Sequence, residues 1–264
     1  MLTEQQLFQF QTFGFLILRG LFGPDELRTI NAEFEESMES GFRHAPYDGT
    51  RRHRLMTMGP STPFFSSLLE DPRFCEIAKQ LYGEDVLGTI SNINRYVGNT
   101  GWHPDTGSVQ HHYGVKFAYY LQPMGAENGA LRVIPGSHRQ PFHGELRRNM
   151  ERSGLSITEV PGYVCESEPG DVVAFDLRCW HASWGGSNDR HMCVLCYYNN
   201  PKTPEQEEAC RKQLIGNAVD YTSWVENSVG NPKREAWIQR MREFAPGCFD
   251  FKGIKHVAQE VPPR

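Results

Sequence analysis

The sequence has no excess of positive charge and no hydrophobic run long enough to cross a membrane. Its 27 Lys and Arg are outnumbered by 32 Asp and Glu, which gives a formal net charge of -5. Nucleic acids and anionic membrane surfaces bind basic proteins, so neither is expected as a partner. The longest apolar stretches, such as FGFLIL, fall far short of the roughly 20 residues that a transmembrane helix needs. The first residues also lack the basic and then apolar pattern of a signal peptide, which predicts a cytoplasmic location.

Cysteines are few and irregularly spaced. There are seven of them, an odd number without the regular spacing of a disulfide framework. Cys193 and Cys196 form a C-x-x-C pair, but the segment HMCVLCYY around them is typical of a strand, in which residues three apart face opposite sides. We therefore expect reduced cysteines in a strand here, and no redox pair or zinc site.

The character of the chain changes twice along its 264 residues. Helical signals dominate residues 1–85, where Thr3 and Gln6 have the spacing of a capping box. Between 86 and 200 the segments are strand-like, rich in β-branched and aromatic residues, with no long helix between them. Such an order favours an antiparallel sandwich or barrel. Two helices and a polar tail are predicted for 201–264. We interpret the chain as one domain, residues 1–264, mainly β with flanking helices.

A histidine-rich stretch, GWHPDTGSVQHH, follows the first long strand of the β region. His103 and Asp105 are two residues apart, so both side chains point the same way if the backbone is extended. His143 and Glu145 have the same spacing, but their surroundings are not strand-like, and we rank that pair lower. A later strand ends near His181. Two histidines and one carboxylate brought together from distant strands would form a facial triad for Fe(II).

Arg190 opens the next predicted strand. An arginine can bind a carboxylate through two parallel hydrogen bonds. An iron triad with a nearby arginine is what a 2-oxoglutarate-dependent oxygenase requires, because the keto acid end of 2-oxoglutarate chelates iron and its other carboxylate needs a fixed cation. The alternatives for these residues are a hydrogen-bonded His–Asp turn, a core histidine at His181, and a surface pair between Arg190 and Asp189.

Four segments give the chain a resemblance to the phytanoyl-CoA dioxygenase family of Fe(II)/2-oxoglutarate oxygenases, over about residues 1–200. These segments are LTEQQLFQFQTFGFLILRGLFGPDELRTI, GWHPD, ENGALRVIPGSHR, and PGDVVAFDLRCWHAS followed by an arginine. The resemblance implies a double-stranded β-helix, which is a jelly-roll, cupin-like core with helices around it.

The resemblance also implies roles for individual residues. His103, Asp105 and His181 match the iron ligands, and Arg190 matches the arginine that binds the tail of 2-oxoglutarate. Ser183 matches a position that commonly hydrogen-bonds the cosubstrate. Two further residues, Asn92 and Asn94, match positions that often face it.

The sequence thus predicts a dioxygenase that uses Fe(II), 2-oxoglutarate and O2 to oxidise, most simply to hydroxylate, an unactivated C–H bond of a small molecule. Succinate and CO2 would be the coproducts. Residues close to the motif or in a basic cluster are candidates for substrate binding: His111, Tyr113, Lys116 and Arg54. Two alternatives stay open, a non-catalytic jelly-roll protein that binds a metal or small molecule, and a cupin-type metal-dependent hydrolase or isomerase.

Overall fold

The first helix begins and ends at residues that its own sequence provides. The computed structural model describes residues 1–106, 112–186, 188–216, 221–249 and 258–261. In α1 (Glu4–Phe13), Thr3 Oγ1 accepts a hydrogen bond from the Gln6 amide, and the Gln6 side chain accepts one from the Thr3 amide, so the predicted capping box is confirmed. The helix ends at Gly14, whose φ of 83° lies in the left-handed region that glycine adopts without strain.

Seven further α-helices and one short 3-10 helix, Pro246–Cys248, occur in the described part of the chain. Helices were predicted within 1–85 and 201–264, but the sequence did not predict the short helices at 63–67 and 222–226 or the helix at 142–153, which contains the lower-ranked His143 pair. No helix in these ranges is both long and apolar enough to cross a membrane. The helices are α2 (Pro24–Gly41), α3 (Pro63–Ser67), α4 (Pro72–Tyr82), α5 (Phe142–Ser153), α6 (Pro204–Gly216), α7 (Thr222–Glu226) and α8 (Pro232–Phe244).

The strands form two antiparallel sheets, as predicted for the β region. The strands are β1 (Phe15–Leu18), β2 (Arg52–Met56), β3 (Leu87–Tyr96), β4 (Thr100–His103), β5 (Gly114–Tyr120), β6 (Leu131–Val133), β7 (Tyr163–Cys165), β8 (Val172–Asp176), β9 (His181–Ser183), β10 (Arg190–Tyr198) and β11 (Ala258–Val261). In the large sheet the order is β1-β8-β5-β10-β3-β2-β11, and in the small sheet it is β4-β9-β6-β7.

Strand β10 lies at the centre of the large sheet, between β5 and β3, and both of its faces are covered. Cys196 lines a cavity between the sheets, whereas Cys193 faces away from it. On the outer face the Tyr197 hydroxyl donates to the Leu69 carbonyl at 2.7 Å. The interpretation of the C-x-x-C segment as a strand is confirmed, and all seven cysteines are free, buried thiols.

The C-terminal part of the chain packs on the large sheet and also extends it. The ring of Trp237 in α8 lies so close to Gly88 in β3 that a Cβ at Gly88 would be 2.6 Å from it, which is why this strand position carries a glycine. The prediction of only a polar tail after α8 was wrong, because Ala258–Val261 forms β11 and pairs antiparallel with β2. Backbone hydrogen bonding to an edge strand leaves little signal in the side-chain pattern of four residues.

His112 connects α6 to the large sheet. Its Nδ1 lies 3.1 Å from the Sγ of Cys210 in α6, and its ring centroid is 4.2 Å from that of Tyr198 in β10. The side chain is completely buried. Burial disfavours the charged imidazolium and lowers the pKa of His112 to about 4.

His112 should make the stability of the protein fall as the pH falls. The unfolded imidazole, with a pKa near 6.5, takes up a proton between pH 7 and pH 5, whereas the folded one stays neutral until the pH approaches 4. This difference removes about 2 kcal/mol of stability over that range. Between pH 7 and pH 5 the free energy of unfolding of His112→Gln should therefore fall by about 2 kcal/mol less than that of the wild type. Urea unfolding at the two pH values measures both changes. His44→Gln, at an exposed position, is the control; equal losses in His112→Gln and the wild type would contradict the assignment.

Candidate metal centre and active-site cavity

A cavity lies between the two sheets. The large sheet lines it with side chains from β2, β3, β5, β8 and β10, the small sheet with side chains from β4, β6 and β9, and α6 adds Gln213. Polar and charged groups make up much of the wall. Those that bear on its chemistry are Arg52, Arg54, Asn92, Tyr96, His103, Asp105, Lys116, Tyr120, His181 and Ser183.

Pairing of β4 with β9 brings the two predicted histidines together. His103, the last residue of β4, is directly opposite His181, the first residue of β9, and their ring centroids are 4.3 Å apart. The register shifts between Thr100 and His103, so β4 contains one residue more than its partner over this span. Such a bulge re-aims the side chains that follow it. Asp105 comes two residues later, and one ligand atom from each of the three residues lies within 4.8 Å of the others.

Backbone carbonyls fix the orientation of both imidazole rings. The Nδ1 of His103 lies 2.7 Å from the carbonyl oxygen of Gly101, and the Nδ1 of His181 lies 3.0 Å from that of Cys179. A carbonyl can only accept a hydrogen bond, so each Nδ1 carries the proton and each Nε2 keeps its lone pair. This is the tautomer in which Nε2 can bind a metal ion.

Two of the three side chains, His181 and Asp105, also have the ionisation states that a metal ion requires. Burial, reinforced by the neighbouring His103, lowers the pKa of His181 to about 3. Burial alone would raise the pKa of Asp105, but the charges of Lys116, His181 and His103 outweigh it and hold that pKa well below its usual range. At neutral pH the site therefore presents neutral His181 and an ionised carboxylate, the forms that bind metals. Two imidazoles and one carboxylate suit Fe(II) and related first-row ions.

Arg190 points into the protein and not toward Asp189. It is 2% exposed, and its Nη2 donates to the Gly98 carbonyl at 2.8 Å and lies 3.4 Å from the Ser183 hydroxyl. Asp189 instead accepts a hydrogen bond from Arg95 at 2.9 Å. The alternative of a surface Arg190–Asp189 pair therefore does not hold.

The guanidinium of Arg190 has a buried donor left over. Its Nη1 is buried and has no hydrogen-bond partner among the described residues. Two glycines make room for it: a Cβ would be 2.3 Å from Nη1 at Gly129 and 1.7 Å from it at Gly186. Arg190 is not among the described residues that line the cavity, but Ser183, which lies beside its Nη2, is. A buried guanidinium donor without a partner is costly, which makes Nη1 a candidate donor to a bound anion.

The two predicted asparagines of β3 have different positions. Asn92 lines the cavity, but Asn94 lies behind it and donates through Nδ2 to Asn92 Oδ1 at 2.7 Å. Asn94 Oδ1 accepts a hydrogen bond from Arg52 Nη2 at 2.6 Å, and the Arg52 guanidinium lies over the Tyr96 ring, 3.9 Å from its centroid. The prediction that Asn94 faces the cosubstrate directly is corrected: the Arg52 side chain occupies its oxygen, and Asn94 orients its neighbours.

Of the four residues predicted to bind the substrate, two line the cavity. Lys116 and Arg54 line the cavity. Tyr113 does not: its ring packs 5.8 Å from that of Tyr82, and its amide donates to Asn199 Oδ1 at 3.0 Å. Its assignment to the substrate is corrected for this reason. His111 lies outside the described residues.

The lower-ranked histidine pair lies away from the cavity. His143 is buried in α5, with Nδ1 3.0 Å from the Ser137 carbonyl, so it has a structural environment away from the cavity.

Three cavity residues were not predicted from the sequence. Tyr96 and Tyr120 face the cavity, and the alternation of side chains along their strands could have indicated this. Gln213 in α6 was not detectable locally; its Nε2 donates to the backbone carbonyl of Asp105 at 2.8 Å.

Dioxygenases that use Fe(II), 2-oxoglutarate and O2 form the class in which a jelly-roll core encloses a His–Asp–His cluster of this kind. Comparison of the sequence with family models narrows the class. The model for phytanoyl-CoA dioxygenase (PhyH) matches residues 10–192, and the chain belongs to this family.

Curated relatives and solved structures agree with this assignment. The ectoine dioxygenase of Bordetella bronchiseptica is 26% identical over 220 residues, covering 69% of this chain and 70% of the relative. That of Stutzerimonas stutzeri is 25% identical over 239 residues, with coverage of 78% and 79%. Among solved structures, HygX from Streptomyces hygroscopicus with nickel and 2-oxoglutarate bound has a TM-score of 0.60 at 22% identity, covering 74% of this chain and 86% of that one.

A second solved structure, EctD from S. alaskensis with 2-oxoglutarate and 5-hydroxyectoine, has a TM-score of 0.57 at 21% identity, covering 75% of this chain and 76% of that one. The predicted jelly-roll fold, family, dioxygenase class and cofactors are thereby confirmed.

The metal-free protein should bind one Co(II) ion, used as a stable substitute for Fe(II), at the three side chains. His181→Ala removes a donor atom, and we expect its Co(II) affinity to fall by more than the roughly 10- to 100-fold caused by loss of an outer-shell partner. Isothermal titration calorimetry measures the change. His143→Ala, which removes a buried histidine outside the cavity, is the matched control and should leave the affinity unchanged. Wild-type affinity in His181→Ala would show that the metal binds elsewhere.

Proposed function

We propose that the chain hydroxylates an unactivated C–H bond of a small molecule, with His103, Asp105 and His181 as the ligands of Fe(II). The convergence of their three ligand atoms within 4.8 Å carries this proposal. Bound there, iron supplies the activation of O2 that couples decarboxylation of 2-oxoglutarate to oxidation of the substrate. Three ligands on one side leave positions for small molecules on the other.

Arg190 binds the far carboxylate of 2-oxoglutarate in this proposal. The buried Nη1 that lacks a partner would donate to one carboxylate oxygen, and the Ser183 hydroxyl beside Nη2 would donate to the cosubstrate as well. Charge-assisted hydrogen bonds of this kind orient a planar carboxylate. Asn92 faces the same cavity and is a further donor, held in place by Asn94.

The substrate is received on the side of the cavity where Arg54 lies, since the ammonium of Lys116 is paired with Asp105. Asp105 is the only carboxylate among the described lining residues, and the proposal assigns it to the metal. Positive side chains therefore exceed negative ones in this wall, which favours a substrate with an anionic group. Ectoine is the first compound to test, because several curated relatives are named ectoine dioxygenases.

We also propose that residues 1–264 act as one oxygenase domain. Strands β1 and β2 from the N-terminal part and β11 from the C-terminal part extend the large sheet, and Gln213 of α6 reaches the cavity. A cytoplasmic location accords with the free thiol state of all seven cysteines, since reducing compartments keep thiols reduced.

The decisive test is an anaerobic titration of the protein with Fe(II) and then with 2-oxoglutarate, followed by absorption spectroscopy. We expect a weak visible charge-transfer band that His103→Ala abolishes, and formation of succinate once O2 is admitted. Ectoine and other small compounds that carry a carboxylate are then screened for faster succinate release and a product heavier by one oxygen. Absence of the band in folded, iron-loaded protein would contradict the proposal and favour a non-catalytic binder or a cupin-type hydrolase or isomerase.

Gly186→Ala should weaken the binding of 2-oxoglutarate without affecting the metal. The added Cβ would lie 1.7 Å from Arg190 Nη1, so the guanidinium must leave its position. We expect at least about a tenfold higher dissociation constant for 2-oxoglutarate, equivalent to the loss of one charge-assisted hydrogen bond, with unchanged Co(II) affinity. Gly125→Ala, where the nearest atom is 3.8 Å away, is the control. Unchanged 2-oxoglutarate binding in Gly186→Ala would argue against the role of Arg190.

A further inference from the structure

The two carboxylate oxygens of Asp105 have different neighbours. Oδ2 lies 2.6 Å from the ammonium nitrogen of Lys116, whereas Oδ1 lies 3.9 Å from the Nε2 of His181. Lys116 reaches this position from β5 in the opposite sheet, where it pairs with Cys196 and Phe175. The contact therefore crosses the cavity from one sheet to the residue that follows the metal strand of the other.

The pair is held firmly. The side chains of Lys116 and Asp105 are 18% and 17% exposed, and separating two such charges would leave each without compensation in a poorly solvated place. The backbone around Asp105 is fixed too: its carbonyl accepts from Gln213 at 2.8 Å, and the next amide, of Thr106, donates to the Leu177 carbonyl at 3.3 Å. The carboxylate is thus held at its backbone by these hydrogen bonds and at Oδ2 by the ion contact with Lys116.

A carboxylate can bind a metal ion through one oxygen or through both. Binding through both would use a coordination position that 2-oxoglutarate or O2 otherwise takes, since the three ligands leave only a few positions open. Oδ1 is on the side of His181, and Oδ2 is already engaged by a cation that repels a metal ion. The geometry therefore separates a metal-facing oxygen from a lysine-facing one.

We propose that Lys116 is a positioning residue of the metal site: it retains Oδ2 of Asp105, so that the carboxylate gives the metal Oδ1 alone and a coordination position stays open. This inference rests on the proposed function. The ammonium also withdraws negative charge from the carboxylate and makes it a weaker donor. Compared with a site that lacks this lysine, the affinity for the metal is lower and the affinity of the metal-loaded site for 2-oxoglutarate is higher.

Lys116→Met keeps an unbranched side chain that is shorter by one atom, and it removes the charge. We expect this variant to bind Co(II) more tightly, by about the tenfold that outer-shell partners change metal affinity, because Oδ2 becomes available. The iron-loaded variant should need about tenfold more 2-oxoglutarate, and its charge-transfer band should move to lower energy because the carboxylate donates more strongly. Lys116→Arg, which restores a cation, should return all three values toward those of the wild type. Lys79→Met, in an ion pair with Glu76 on α4, is the control for loss of a lysine charge.

A measurement on the wild type alone provides a second test. Difference infrared spectra of Co(II)-loaded and metal-free protein, with 13C-labelled aspartate, give the separation of the two carboxylate stretches, which is wide for binding through one oxygen and narrow for binding through both. A narrow separation in the wild type would overturn the inference even if Lys116→Met did not fold.

The results distinguish this inference from the proposed function. A wild-type protein without the charge-transfer band would refute the proposed function itself. Normal wild-type titrations combined with an unshifted band and unchanged affinities in Lys116→Met would refute only the role of Lys116. Weaker metal binding in Lys116→Met with an unshifted band would also refute it, because a residue that merely supports the sheet gives that result.

Discussion

Everything in the candidate site depends on the pairing of β4 with β9. This short antiparallel contact places His103 opposite His181, and the extra residue in β4 turns the chain so that Asp105 joins them. Side chains alternate along a strand, so a slip of one residue would turn an imidazole away from the cavity. The rest of the small sheet, β6 and β7, supports β9 from its other side.

The large sheet supplies the two positive side chains, Arg190 and Lys116, that our proposals assign to the site. Arg190 and Lys116 come from neighbouring strands, β10 and β5. Lys116 lines the cavity, whereas Arg190 is buried beside Ser183, which lines it. One is held by the Gly98 carbonyl and keeps a buried Nη1 without a partner among the described residues, and the other is held by Asp105 itself. The two positive side chains therefore have different roles in our proposals. Arg190 binds a cosubstrate carboxylate, and Lys116 orients the carboxylate of Asp105.

Much of this was predictable from the sequence, because the relevant signals are local. The H-x-D spacing in GWHPD and the arginine that opens β10 required only strand periodicity and the chemistry of the side chains. The prediction of one strand ending near His181 was wrong in its bounds, because β8 ends at Asp176 and His181 is the first residue of the separate strand β9. Periodicity could also have excluded Tyr113, since it stands three residues before Lys116 and the two face opposite sides of an extended chain.

Other features depend on contacts between residues far apart in the chain. The proximity of Lys116 and Asp105, the covering of Asn94 by Arg52 and the reach of Gln213 into the cavity follow from how the two sheets and α6 pack. The pairing of β11 with β2 was missed for the same reason, since backbone hydrogen bonds specify no side-chain pattern.

The contact of α6 with the cavity has a consequence for how such a protein diversifies. The match to the family ends at residue 192, whereas Gln213 lies beyond it and still touches the backbone of Asp105. The strands that hold the donors and the helix that adds Gln213 to the cavity wall are thus encoded in separate stretches of the gene. Mutations in the second stretch can alter the shape of the cavity while the first is preserved, so a lineage can acquire new selectivity without rebuilding its reactive centre.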